Sequence, residues 1–242
     1  VLSCCTGLTS RICSCSDIVS SAFWWTSKQL SEPEFSLQTV ICIKWGTRYG
    51  ADYVNRLYSM VMRNTNKETR FVCFTEDDTG VDARVEIKPL PPINIPERVA
   101  NRPWRKVSLW QDPLYDLSGD IVYFDLDLVI TGNIDDFFSY EPGKFAVIHN
   151  WTQPKLSVGN TSVYRFTVGQ HKFIFDQFNA DPEKFLTQYR ISQQYISDQI
   201  KDKVFWPREW CVSFKHSLIP PWPLRFFKTP ELPAEAKVVA FT

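Results

Sequence analysis

The sequence predicts an α/β fold built on a mixed, mainly parallel sheet flanked by helices, and three observations carry that expectation. A β-branched run at 39–44, helical periodicity over 51–64 and a second apolar run at 70–75 follow one another as strand, helix and strand. That unit builds a parallel sheet through right-handed crossovers. The stretch 121–130 is apolar except for Asp125 and Asp127, the pattern of a strand buried on both faces. At 242 residues the chain is long enough for one α/β domain with a substantial core.

Each element has its own signal. Residues 39–44 read as the first strand, and Gly46 and Gly50 punctuate the loop after it. Val54, Leu57, Tyr58, Val61 and Met62 recur at helical spacing and give an amphipathic helix. Residues 70–75 form the second strand and 85–89 a short third. The proline-rich segment 89–96 cannot join a central strand and reads as a loop. Pro103 suits an early helical position, so 103–110 is expected as a helix. The Asp-bearing run 121–130 is expected as one strand. Strands at 145–149 and 162–166 follow, then helices at 171–178, 182–189 and 192–201. From Phe205 onward the chain is rich in Trp and Pro, and it closes with a strand at 237–241.

Composition narrows the function. Lys+Arg and Asp+Glu balance at 27 each, so no global field favours nucleic acid or an anionic membrane. No apolar run reaches the length of a membrane span. Residues 1–37 hold Cys4, Cys5, Cys13 and Cys15 in a Ser/Thr-rich context without periodicity, and are expected as a disordered extension to a domain at 38–242. Cys42, Cys73 and Cys211 sit in apolar surroundings as small core residues. Nothing demands a disulfide, which points to a reducing, cytoplasmic setting, membrane-peripheral at most.

Asp125 and Asp127 carry the chemistry. Burying two ionised carboxylates is costly without positive compensation. On a strand, residues two apart point to the same side, so the pair would converge on one cation. Mg²⁺ or Mn²⁺ already holding substrate phosphates suits such a sparse carboxylate site. The loop 44–50 follows the first strand of an α/β sheet, and ligands bind outside the carboxyl ends of such strands.

The order of these elements, together with Trp104-Arg105-Lys106-Val107-Ser108-Leu109-Trp110, Tyr123-Phe124-Asp125-Leu126-Asp127 and Gly132-Asn133-Ile134-Asp135-Asp136-Phe137-Phe138, resembles the nucleotide-sugar glycosyltransferases of GT-A fold. The nearest likeness is to bacterial relatives of the glycogenin and lipopolysaccharide galactosyltransferase family, and it spans about residues 38–242. The resemblance implies that Asp125 and Asp127 hold a Mn²⁺ or Mg²⁺ ion bridging the donor diphosphate, with one carboxylate also touching the ribose or sugar. It implies a UDP-sugar donor, a saccharide, lipid-linked or protein acceptor, and retention of anomeric configuration. Lys106 matches a basic residue near the donor phosphates. Lys44 would reach phosphate, and Trp45 or Tyr49 would stack on the base. Asn160 would bond sugar hydroxyls. Asp198 and Gln199 match a pair beneath the anomeric carbon, Gln stabilising the developing oxocarbenium and Asp orienting a donor hydroxyl. From its residues, the Trp/Pro-rich segment 205–223 would either wall the acceptor side, since aromatic faces pack against sugar rings, or only cover the sheet. The family also places a His metal ligand just after the last strand, where this sequence reads Phe241-Thr242. Among the histidines present, His149 follows a strand and could face the site.

Two alternatives stand beside this reading. Asp-x-Asp-x-Val at a strand end also resembles the first motif of haloacid-dehalogenase-type phosphatases, with Asp125 as nucleophile. That motif normally opens its domain, and a strand-helix-strand unit precedes this one. The second alternative is a catalytically inactive sugar-nucleotide-binding relative.

Overall fold

The computed structural model describes residues 37–241. The extension expected at 1–37 lies, apart from Leu37, outside the described residues. The strands are β1 (Gln38–Lys44), β2 (Thr69–Thr75), β3 (Glu86–Lys88), β4 (Asp120–Phe124), β5 (Leu128–Ile130), β6 (Ala146–His149), β7 (Gly159–Thr167), β8 (Val204–Phe205), β9 (Cys211–Ser213) and β10 (Val238–Ala240). The α-helices are α1 (Ala51–Arg63), α2 (Asp136–Ser139), α3 (Phe173–Ala180), α4 (Pro182–Gln188) and α5 (Ser192–Gln199).

A seven-stranded sheet runs β3-β2-β1-β4-β7-β6-β8. Strands β1, β2, β3 and β4 are parallel neighbours, as the crossover pattern predicts, while β7 is antiparallel to both β4 and β6. A smaller sheet, β5-β10-β9, stands beside it. Strand alternation distributes the core over both faces. Ile41, Ile43, Ile121 and Tyr123 meet Trp104, Trp110, Tyr164 and Phe178 on one face. Val40, Cys42, Val122 and Phe124 meet Val54, Leu57 and Val61 of α1 on the other. Double burial explains why β1 and β4 read as apolar runs without alternating polarity. Cys42 and Cys73 are register partners across β1 and β2, both buried and free.

Three local expectations are corrected. The run 121–130 is two strands. After Phe124 the backbone makes one more ladder bond, Asp125 N to Ser162 O at 2.8 Å, turns at Leu126 and Asp127, and re-enters as β5 in the other sheet, antiparallel to β10. A sheet interior offers two adjacent carboxylates no counter-charge, so the chain leaves it where they begin. The segment Pro103–Trp110 is a 3₁₀-helix. Three residues per turn put Trp104, Val107 and Trp110 in one row, and all three enter the core. The strand predicted at 162–166 is longer, Gly159–Thr167, so Asn160 lies inside β7. Beyond these, α3 starts two residues later than predicted, at Phe173, and α5 ends at Gln199.

Candidate active site

The parallel strands β1 and β4 end on the same edge of the sheet, and β7, running the other way, begins there. That edge carries a cleft of about 340 Å³ lined by residues of the loop after β1, the 3₁₀-helix and the turn after β4. Trp45, Arg48, Tyr49, Lys106, Asp125 and Asp127 are among its walls. A second depression, lined partly by Arg56 and Arg63 of α1, meets it at Leu126 and Asp127.

The two carboxylates are held by different partners. Lys106 reaches Asp125 Oδ1 with its Nζ at 2.5 Å, and Tyr123 donates its hydroxyl to the same oxygen at 2.7 Å. Lys106 also donates to Thr161 O at 3.2 Å and lies 5.1 Å from the Tyr123 ring centroid. Its side chain is only 7% exposed, so its charge is committed to this corner. Tyr49 donates to Asp127 Oδ2 at 2.6 Å, and its ring packs 4.9 Å from that of Tyr53. Asp125 Oδ2 and Asp127 Oδ1 have no hydrogen-bond partner among the described residues. Burial, reinforced by the nearby carboxylates, pushes the Tyr49 and Tyr123 hydroxyls well above their ordinary pKa. Both phenols therefore stay protonated at neutral pH and act as donors to the carboxylates.

The turn geometry replaces the mechanism that alternation suggested. Asp125 and Asp127 line one cleft because the chain turns at Leu126 and Asp127 instead of continuing the strand, with buried Leu126 between them. Gly46 supports the adjacent loop. Its φ of +59° is left-handed, its N–H donates to Glu76 Oε1 at 2.7 Å, and a Cβ there would meet Asn101 at 3.1 Å.

The remaining predicted residues fall into separate groups. Lys44 is buried, and its ammonium is taken by Asp77, bonding the backbone oxygen at 2.8 Å with a carboxylate oxygen at 3.5 Å; it does not line the cleft. Arg105 turns to a different depression, beside Glu76 and Asp78. Asn160 is buried, with Oδ1 accepting from Ser162 N at 2.9 Å. Asp198 is exposed at the end of α5, where Tyr189 and Lys201 bind its carboxylate. These bonds hold its pKa below the ordinary carboxylate value, Lys201 first. Neither Asp198 nor Gln199 lines the cleft. They are tied to its edge indirectly, since Ser197 Oγ accepts from Gly159 N at 2.8 Å, next to Asn160.

His149 packs on Phe205 with centroids 4.6 Å apart and shares a separate pocket of about 210 Å³ with His216, Trp151 and Arg208. Within the Trp/Pro-rich segment, Trp206 is buried and donates to Val163 O at 3.2 Å, so it supports the core. Sequence reasoning missed Tyr123 as the partner of Asp125. The signal was present: a tyrosine two residues earlier on a strand points the same way as Asp125.

No protein-family profile matches the chain, and no curated protein sequence matches it. Solved structures do. The galactosyltransferase LgtC, in complex with donor and acceptor sugar analogues, superposes with a TM-score of 0.57 at 12% identity, over 84% of this chain and 87% of that one. The glycosyltransferase GlyE of Streptococcus pneumoniae TIGR4 gives 0.54 at 13% identity, over 85% of this chain and 55% of its own. The bifunctional glycosyltransferase WbbM gives 0.54 at 12%, over 87% and 47%. The chain has the α/β fold of these LgtC-like glycosyltransferases.

Proposed function

We propose that this protein transfers a glycosyl group from a nucleoside-diphosphate sugar, a UDP-sugar in the first instance, to a saccharide, lipid-linked or protein acceptor. In that reaction the bond from the anomeric carbon to the diphosphate breaks and the nucleoside diphosphate leaves with the electron pair. A bond forms to an acceptor hydroxyl, whose proton passes to the departing diphosphate. The observation that carries the reading is the pair of carboxylates in one cleft, each with one oxygen held by the protein and one free, beside a buried lysine. LgtC was solved with donor and acceptor sugar analogues, which supports the same class of ligand here.

The free oxygens Asp125 Oδ2 and Asp127 Oδ1 fit Mn²⁺ or Mg²⁺. Such ions take one or two carboxylates and complete their shell with phosphate and water. When bound, the ion would supply charge stabilisation to the leaving diphosphate. The chain's own residues do the rest. Tyr123 and Tyr49 fix the carboxylates, so their free oxygens need no reorganisation. Lys106 places a fixed positive charge where the leaving group gathers negative charge, and Arg48 adds a second from the rim. Trp45, half-buried, offers an aromatic face to the base. Asn160, Asp198 and Gln199 stand outside the lining of this cleft, and it is the resemblance alone that assigns them to the sugar, Gln199 to the developing positive charge of the ring. An active-site glutamine-to-glutamate mutant of LgtC has been solved, which makes Gln199 the first of these to test.

The test is to incubate the full chain with UDP-sugars, with and without Mn²⁺, and follow UDP release. Metal-dependent release sustains the reading. Hydrolysis of simple phosphate esters through a covalent phosphate on Asp125, with no response to nucleotide sugars, replaces it with the phosphatase.

A further inference from the structure

Between β9 and its parallel neighbour β10 the chain makes a long excursion, residues 214–237, held at its root by Lys237 N and Val238 N donating to Trp210 O at 2.9 Å. Long loops in compact domains are uncommon unless they serve a function. Every residue from 221 to 235 is exposed. The apolar ones are large: Trp222 is 71% exposed, Phe226 68% and Phe227 84%, with Ile219, Leu224 and Leu232 beside them in sequence. Isolated exposed apolar residues are ordinary, but a run of this size marks an interaction surface.

The kind of partner follows from charge and backbone. Between residues 214 and 230 the charged side chains are Lys215, Arg225 and Lys228, all exposed, and there is no Asp or Glu. The acids Glu231 and Glu235 come only after the aromatic turn. Arg225 sits 5.7 Å from the Phe226 ring centroid, so cation and aromatic face occupy one spot. Since the whole chain balances its charges at 27 each, this basic stretch is a local feature. The turn also has few backbone donors to lose on leaving water. Pro220, Pro221, Pro223, Pro230 and Pro233 have no N–H. The N–H groups of Arg225, Phe226, Phe227 and Lys228 are all bonded within the loop. Aromatic side chains with interleaved basic residues on a proline-rich turn match the headgroup region of an anionic bilayer, where Trp is favoured and each basic residue adds attraction.

We propose that the 214–230 segment docks this protein onto an anionic lipid surface, inserting Trp222, Phe226 and Phe227 at headgroup depth while Lys215, Arg225 and Lys228 face the lipid charge. The proposal is independent of the transfer reading. The test sediments the full chain with vesicles of phosphatidylcholine alone and of phosphatidylcholine with phosphatidylserine. Binding is expected only to the second and falls as salt is raised. Combined Lys215→Ala, Arg225→Ala and Lys228→Ala weakens it by about a hundredfold, roughly fivefold per charge. Combined Trp222→Ser, Phe226→Ser and Phe227→Ser abolishes it, and both variants keep the parent's thermal midpoint because all six substituted side chains are exposed. Trp222→Phe retains binding but loses part of the blue shift of tryptophan emission on vesicle addition. No preference for anionic vesicles, or equal binding by parent and both combined variants, overturns the proposal. Concentration-dependent self-association removed by the aromatic variant, without vesicle binding, also overturns it in favour of a contact between copies.

Discussion

The turn after β4 and the C-terminal end of α5 both present acidic side chains near the same edge of the sheet, yet they are held very differently. Asp125 is 18% exposed, faces a lysine that is 7% exposed, and accepts from a fully buried tyrosine. Asp198 is 49% exposed, pairs with Lys201 at 76%, and accepts from a tyrosine of partial exposure. The first arrangement is locked before any ligand arrives. The second is screened by solvent and rearranges at little cost. A cluster that burdens the fold with a buried lysine and a carboxylate is placed to meet charge, and the exposed pair is placed to move.

Removing the cation from each pair breaks the comparison most directly. Lys106→Ala leaves Asp125 without its counter-charge and is expected to cost about 3 kcal/mol of stability, the lower end for a broken buried pair. Lys201→Ala is expected to cost under about 0.5 kcal/mol. Denaturant unfolding of the two variants measures the difference, and similar losses would mean that the Asp125 corner is not preorganised. By the same logic Asp125→Asn destabilises the fold, since it strands Lys106.

Smaller, and confined to turnover, is the expected effect of Gln199→Ala. An amide acting only on the transition state lowers kcat by about 10²-fold while donor affinity holds. A rise in KM with kcat unchanged would move Gln199 into ground-state binding.

The smallest effect is the pH response of Asp198. Its folded pKa lies below its ordinary value, chiefly through Lys201 and Tyr189. Its contribution is therefore complete above the unfolded carboxylate pKa and is lost as pH falls through the folded one. At this exposure it is worth a few tenths of a kcal/mol at most. The acid limb of the stability profile in Asp198→Asn should accordingly overlay the parent's within that amount. A shift of more than about 1 kcal/mol would show a structural role that its exposure does not suggest.

What the residues disclosed in advance tracks how local the cause was. Strand β1, helix α1 and strand β2 are set by apolar spacing within a dozen residues, and their bounds agree with the sequence reading to within one residue. The pair Asp125 and Asp127 was legible for its unusual place in an apolar run. The break at Leu126 was not, because β5 exists only by pairing with β10 more than a hundred residues later. Lys44 looked available to phosphate from its position at the end of β1, and only tertiary structure brings Asp77 to it. The 3₁₀ winding of 103–110 likewise depends on Trp104 and Trp110 entering one core from one row. Side-chain identity was readable, while pairing across distance was not.

The central claim is that Asp125 and Asp127 bind a metal–diphosphate unit. Asp127→Asn tests it cleanly, because the one described partner of Asp127, the Tyr49 hydroxyl, can still donate to an amide oxygen. The measurement is calorimetric titration of UDP into parent and Asp127→Asn, each with and without Mn²⁺, with thermal midpoints recorded alongside. The account predicts binding by the parent only with Mn²⁺, and at least a hundredfold loss in the variant at an unchanged midpoint, beyond the roughly 10–100-fold typical of outer-shell changes. Equal UDP binding with and without Mn²⁺, or undiminished binding by the variant, would contradict it.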